Sequence, residues 1–245
     1  MQAASPIIIV PLRTQALAPT VKPRLTYRGG RLLTAVEVFV FFWGDAWASE
    51  PQTTLMGRIN DFFEYIVASP LIDQLAEYSV QDQTIGHGKR VGAIALTTTV
   101  PAKVSDDDVR ALISDQIASN PAVAQPNKNS LYFVFLPPGV TSLMGGGASC
   151  SNYCGYHDND GDVCYGVMPF PDCGGCTGGM TDFDALTVTS SHELCEAITD
   201  AEPSGTMGWY DDSNGEIGDI CAWQTRQLGE YTIQLEWSNT QGRCV

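Results

Sequence analysis

The chain has 245 residues and a formal net charge of −15, from 13 Lys and Arg against 28 Asp and Glu. That balance leaves no basic face to meet phosphates and excludes nucleic acid as a partner. A hydrophobic content of 44% and an aromatic content of 9% suffice for a large core, and no apolar run is long enough to span a membrane.

Residues 1–30 are Pro-rich and end at Gly29-Gly30, which reads as an extended N-terminal arm or edge strand ahead of a single compact domain at 31–245. Met1–Val10 lacks a basic region before its apolar patch and is not read as a signal peptide. Val36–Trp43 alternates and is rich in β-branched and aromatic residues, the pattern of a buried strand. Leu55, Ile59, Phe62, Phe63 and Ile66 follow helical spacing, and Ser69-Pro70 ends that helix before a shorter one at Leu71–Tyr78. Val91–Val100 is a second strand, and Ser105 caps a helix running to about Ile117. Leu131–Leu136 and Val163–Met168 are further strands, and Asp184–Thr199 is a helix. The strand Leu131–Leu136 suits either a buried central place or a substrate-binding edge. Alternating strands and helices followed by loops point to an α+β or three-layer arrangement.

All eight cysteines lie in the second half: Cys150, Cys154, Cys164, Cys173, Cys176, Cys195, Cys221 and Cys244. An even set in a Gly-rich region reads as a disulfide framework, and so as a secreted, extracellular protein. The rival is a zinc-thiolate site on Cys150, Cys154, Cys173 and Cys176, whose spacings zinc accepts. From Asn129 to Thr225 there is no Lys or Arg, yet fourteen carboxylates. Two carboxylates about 6 Å apart repel by roughly 3 kcal/mol at an effective dielectric near 20. Protons, good solvation or bound cations must relieve this, and cations are the expected answer. Asp158, Asp160 and Asp162 alternate like the opening of a calcium loop, without the glycine and closing glutamate of an EF-hand, so a solvated acidic turn is the competing reading.

The segment from Ser190 to Asp200, SSHELCEAITD, carries the chemistry. On a helix, His192 and Glu196 are one turn apart on one face and can share a metal ion, while Glu193 lies about 100° round, placed to handle an activated water. Asp200 and Asp219 are alternative ligands, or orient the outer nitrogen of His192. A plain amphipathic surface helix is the alternative.

This helix resembles that of the thermolysin-type zincins, H-E-L-x-H-A-[VI]-T-D, with Glu196 where those enzymes carry a second histidine. The resemblance implies a zincin-like mixed sheet with an active-site helix, Glu193 as catalytic base, and a glutamate twenty residues beyond as third ligand, the position of Glu216. A broader resemblance is to secreted bacterial and fungal relatives of the plant exordium, or phosphate-induced, proteins. It rests on VFVFFWGDAW, SPLIDQLAEYSV, SLYFVFLPPGVT, CSNYCGYHD and WYDDSNGEIGDICAW. It implies that Tyr156-His157 lies near the site. In the peptidase reading His157 is expected as a catalytic residue or added ligand, and His157 or Tyr210 as the group that helps the metal stabilise the oxyanion. The expected protein is a monomeric, zinc-dependent endopeptidase acting on protein or peptide substrates. The alternative is a non-catalytic binding protein with structural calcium or another metal. Replacing histidine by Glu196 makes the site less positive and more hospitable to calcium or manganese.

Overall fold

The computed structural model describes residues 9–16, 19 and 21–245. Its centre is a six-stranded mixed sheet: β1 (Ile9–Pro11), β2 (Glu37–Trp43), β3 (Lys89–Leu96), β4 (Ser130–Phe135), β5 (Tyr153–Asp160) and β6 (Val163–Met168). The spatial order is β1-β5-β6-β4-β2-β3. Strands β6, β4, β2 and β3 run parallel, while β5 is antiparallel to both β6 and β1.

Helices α1 (Gln52–Ile66), α2 (Pro70–Leu75), α3 (Asp106–Ser119) and α4 (Asp182–Thr199) complete an α+β fold. The pleat of β2 divides its side chains between two cores. Val38, Val40 and Phe42 face α1, α2 and α4, whereas Phe39, Phe41 and Trp43 join Val109 and Ile113 of α3 on the other side. With both faces covered, β4 reads as an unbroken apolar run because it lies at the centre of the sheet. Leu131–Leu136 is therefore not a substrate-binding edge.

At one end of the sheet β1 takes the edge position and pairs with β5. Ile9 pairs with Tyr156 and Val10 with Gly155. Val10 and Leu12 pack with Cys154, Cys176, Val188 and Trp223, and the Trp223 indole donates to the carbonyl of Pro11 at 2.7 Å. The described part of the arm is thus an edge strand built into the domain. Leu25 joins the main core, and Thr26–Tyr27 pairs with Trp209–Tyr210.

Six of the eight cysteines form disulfides: Cys150–Cys173, Cys154–Cys176 and Cys221–Cys244. Cys164 and Cys195 are free and buried, so the framework is smaller than the even count suggested. The pairing also removes the thiolates that a zinc site on Cys150, Cys154, Cys173 and Cys176 requires. No helix among the described residues is long and apolar enough to cross a membrane.

Candidate metal centre

Helix α4 begins at Thr181, whose hydroxyl accepts the amide of Asp184 at 3.1 Å. It is not an amphipathic surface helix, because every residue from Ala185 to Thr199 is buried. The helix packs against β5 and β6, α1, and a C-terminal hairpin of β7 (Thr225–Leu228) and β8 (Tyr231–Gln234). Close approach to β5 requires Gly155, where a Cβ would stand 2.5 Å from Cγ2 of Thr189. That approach brings His157 of β5 against the helix.

Five predicted residues, His157, His192, Glu193, Glu196 and Glu216, meet in one place. His157 Nδ1 lies 2.9 Å from Glu193 Oε2 and 3.4 Å from Glu196 Oε2, and its Nε2 lies 3.6 Å from Glu216 Oε1. His192 Nε2 is 2.9 Å from Glu196 Oε1. Glu216 and Asp219 come from the loop that the Cys221–Cys244 disulfide anchors. Gly218 in that loop lies so close that a Cβ would stand 2.7 Å from His192 Nδ1 and 2.9 Å from Glu196 Oε1. The Asp219 amide donates to Glu196 Oε1 at 3.1 Å, and its carboxylate accepts from the Glu216 amide at 3.0 Å. Asp219 therefore orders the loop and steadies Glu196.

Neither Asp200 nor Asp219 is the hydrogen-bond partner of the outer nitrogen of His192. That partner is Gln234, 2.7 Å from Nδ1 and 42 positions along the chain, which no spacing rule signals. Asp200 closes α4 at its C-terminal end and accepts from the Gly208 amide at 2.8 Å. Asp158, Asp160 and Asp162 lie in a β-hairpin. The first two lie on β5, Asp162 follows Gly161 in the hairpin to β6, and no candidate cation group among the described residues includes any of them. Tyr210 pairs with Thr26 in its two-stranded ribbon.

The electrostatics of the cluster are one-sided. Glu193, Glu196, Asp200, Glu216 and Glu236 are all at 0% exposure, and the imidazoles of His157 and His192, at 0–1%, lie among them. Glu236 is a further buried acid that the sequence did not single out. Burial raises Glu193 and, well above the carboxylate range, Glu216, Asp219 and Glu236. Burial likewise lifts Asp200 to about 6. For Glu196, the adjacent His192 and His157 overcome burial and bring it down to about 2. Both histidines gain proton affinity against burial: His157 well upward through Glu216 and Glu193, and His192 to about 10 through Glu196. For His192 the Gln234 amide opposes a second ring proton, since it offers Nδ1 a donor where that proton needs an acceptor.

Many polar atoms here have no hydrogen-bond partner: Nε2 of both histidines, Oε1 of Glu193, Oε2 of Glu196, and both oxygens of Glu216. Buried polar groups are rarely left so, and uncompensated buried carboxylates are costlier still. His157, Glu196 and Glu216 each offer a ligand atom, all within 4.8 Å of one another, as do His192, Glu196 and Asp219. These donors fit a divalent cation with mixed nitrogen and oxygen ligands.

No protein-family model matches the sequence, and no curated protein is similar to it. Among solved structures, a chain described as "Structure of a chaperone-substrate complex" aligns with a TM-score of 0.31 and 12% identity. The alignment covers 62% of this chain and only 26% of that one. A likeness this weak carries no argument about fold or function.

Proposed function

We propose that the chain is a secreted metal-dependent peptidase of zincin-like fold, with its cation held among His157, His192, Glu196 and Glu216. The observation that carries this is the convergence of unpartnered, fully buried ligand atoms around a helix bearing His192, Glu193 and Glu196. Zinc suits the imidazole and carboxylate donors, with manganese the harder alternative. A divalent cation there supplies Lewis-acid polarisation of a carbonyl and makes water more acidic. Glu193 holds His157 through Oε2 and keeps Oε1 unpartnered, free to accept a proton and return it to a leaving amine. Burial raises its proton affinity toward the working range of a general acid–base. Three disulfides support an extracellular setting.

A second reading, a non-catalytic protein with a structural cation, is favoured by one observation: His157, His192, Glu193, Glu196 and Glu216 are all sealed from solvent at 0–1% exposure. Cleavage of an unfolded protein substrate, with and without a chelator, separates the two. Metal-dependent product formation that Glu193→Gln abolishes supports the peptidase. A chelator effect on stability alone, with no product, overturns it in favour of the structural cation.

A further inference from the structure

Two donor groups compete for the cation and share Glu196, one completed by His157 and Glu216 and the other by His192 and Asp219. The hydrogen bonds on the two imidazoles decide between them. A neutral histidine that ligates a metal through one ring nitrogen carries its proton on the other, which must face an acceptor.

His157 meets that condition. Its Nδ1 lies 2.9 Å from the carboxylate of Glu193, an acceptor, which leaves Nε2, 3.6 Å from Glu216 Oε1, for the cation. His192 does not. The side-chain amide of Gln234 is fixed at both ends: Oε1 accepts the backbone N–H of Trp223 at 2.9 Å, and Nε2 donates to the carbonyl of Gly218 at 2.9 Å. The same Nε2 lies 2.7 Å from His192 Nδ1 and presents a donor to it. Turning the amide over would set N–H against N–H at Trp223 and oxygen against oxygen at Gly218. Nδ1 of His192 is therefore an acceptor, and its single proton sits on Nε2, 2.9 Å from Glu196 Oε1.

Building on the cation reading above, we infer that the metal is held by His157 Nε2, Glu196 and Glu216, while His192 stands outside the coordination shell and is kept there by Gln234. This reverses the roles of the two histidines that the sequence motif suggests. His192 and the Asp219 amide become positioning groups for Glu196, and Gln234 is the residue that sets the arrangement.

The test uses the full chain with zinc or cobalt(II) alone as probe. Zinc affinity is expected to fall at least 100-fold in His157→Gln and no more than about 10-fold in His192→Gln, with the cobalt spectrum of the second unchanged. Because either variant could fold poorly, long-range proton–nitrogen correlation spectra of the unmodified protein give an independent reading. On zinc loading, one buried imidazole is expected to show a metallated Nε2, and the other is expected to keep its Nε2 proton. Zinc binding that His192→Gln abolishes and His157→Gln spares overturns the inference while leaving the cation intact, as do spectra with both imidazoles metallated. Failure of the unmodified protein to take up either ion overturns the cation reading itself.

Discussion

Nδ1 of His157 lies 2.9 Å from the carboxylate of Glu193, tying strand β5 to the buried helix α4. Glutamine at position 193 keeps an acceptor for this contact and removes the base. Glu193→Gln is therefore expected to retain fold and cation while lowering kcat for peptide cleavage by at least ~100-fold. Steady-state kinetics with metal analysis on the same sample check it. Retained turnover would remove Glu193 from the chemistry.

Gly218 occupies a place where no side chain fits, since a Cβ would stand 2.7 Å from His192 Nδ1 and 2.9 Å from Glu196 Oε1. Gly218→Ala should push the loop carrying Glu216 and Asp219 off α4, at a cost of about 1–3 kcal/mol. Denaturant unfolding measures that cost, and cation affinity should fall with it. An unchanged midpoint and affinity would mean that the loop is not held against His192.

Stability without metal should depend on pH in an unusual direction. Asp200 is raised to about 6 by burial, and Glu193, Glu216 and Glu236 are raised as well. A carboxyl raised on folding stabilises below its unfolded value, and that stabilisation is lost as pH climbs through the folded value. His157, also raised, acts in the same sense at higher pH. Glu196, lowered to about 2, acts oppositely, and its contribution is lost only in strong acid, below its unfolded value. Thermal melts in chelator should therefore give a higher Tm near pH 5 than near pH 8, and added zinc should raise Tm most at the higher pH, where the ligands shed their protons. A chelated Tm that rises from pH 5 to pH 8 contradicts this.

Much of the fold could be read from residue patterns, and the exceptions have physical causes. The buried strands around Phe39 and Phe133 are rich in apolar and aromatic residues, the helix at 52–66 carries helical apolar spacing, and Ser105 and Thr181 cap the helices at 106–119 and 182–199. Strand β5 does not: Tyr153–Asp160 holds no β-branched residue and ends in Asp-Asn-Asp, so its acids suggested a cation loop. It is a strand because β1 and β6 pair with it on either side. Of the site, His192, Glu193, Glu196 and Glu216 followed from spacing and resemblance, and His157 from resemblance alone. Gln234 and Glu236 were invisible, because both sit in the C-terminal segment, and only tertiary packing returns it to α4.

Strand β1 lies along β5, the strand that carries His157. Trp223 holds β1 through the Pro11 carbonyl and lies beneath the Arg13 guanidinium at 5.1 Å. Trp223→Ala is expected to speed hydrogen exchange across residues 9–13 and the facing edge of β5, while β4 stays protected. Metal stripping by chelator should accelerate in parallel. If exchange at β5 rises and stripping does not, the route to the cation lies elsewhere.

Elemental analysis of the full chain, purified without chelators or metal-affinity resin, tests the central claim most directly. The expected result is about one equivalent of zinc or manganese, lost in Glu216→Gln with the fold intact. Protein free of any divalent cation, and unable to take one up at neutral pH, would contradict it and leave the buried acids of α4 neutralised by protons alone.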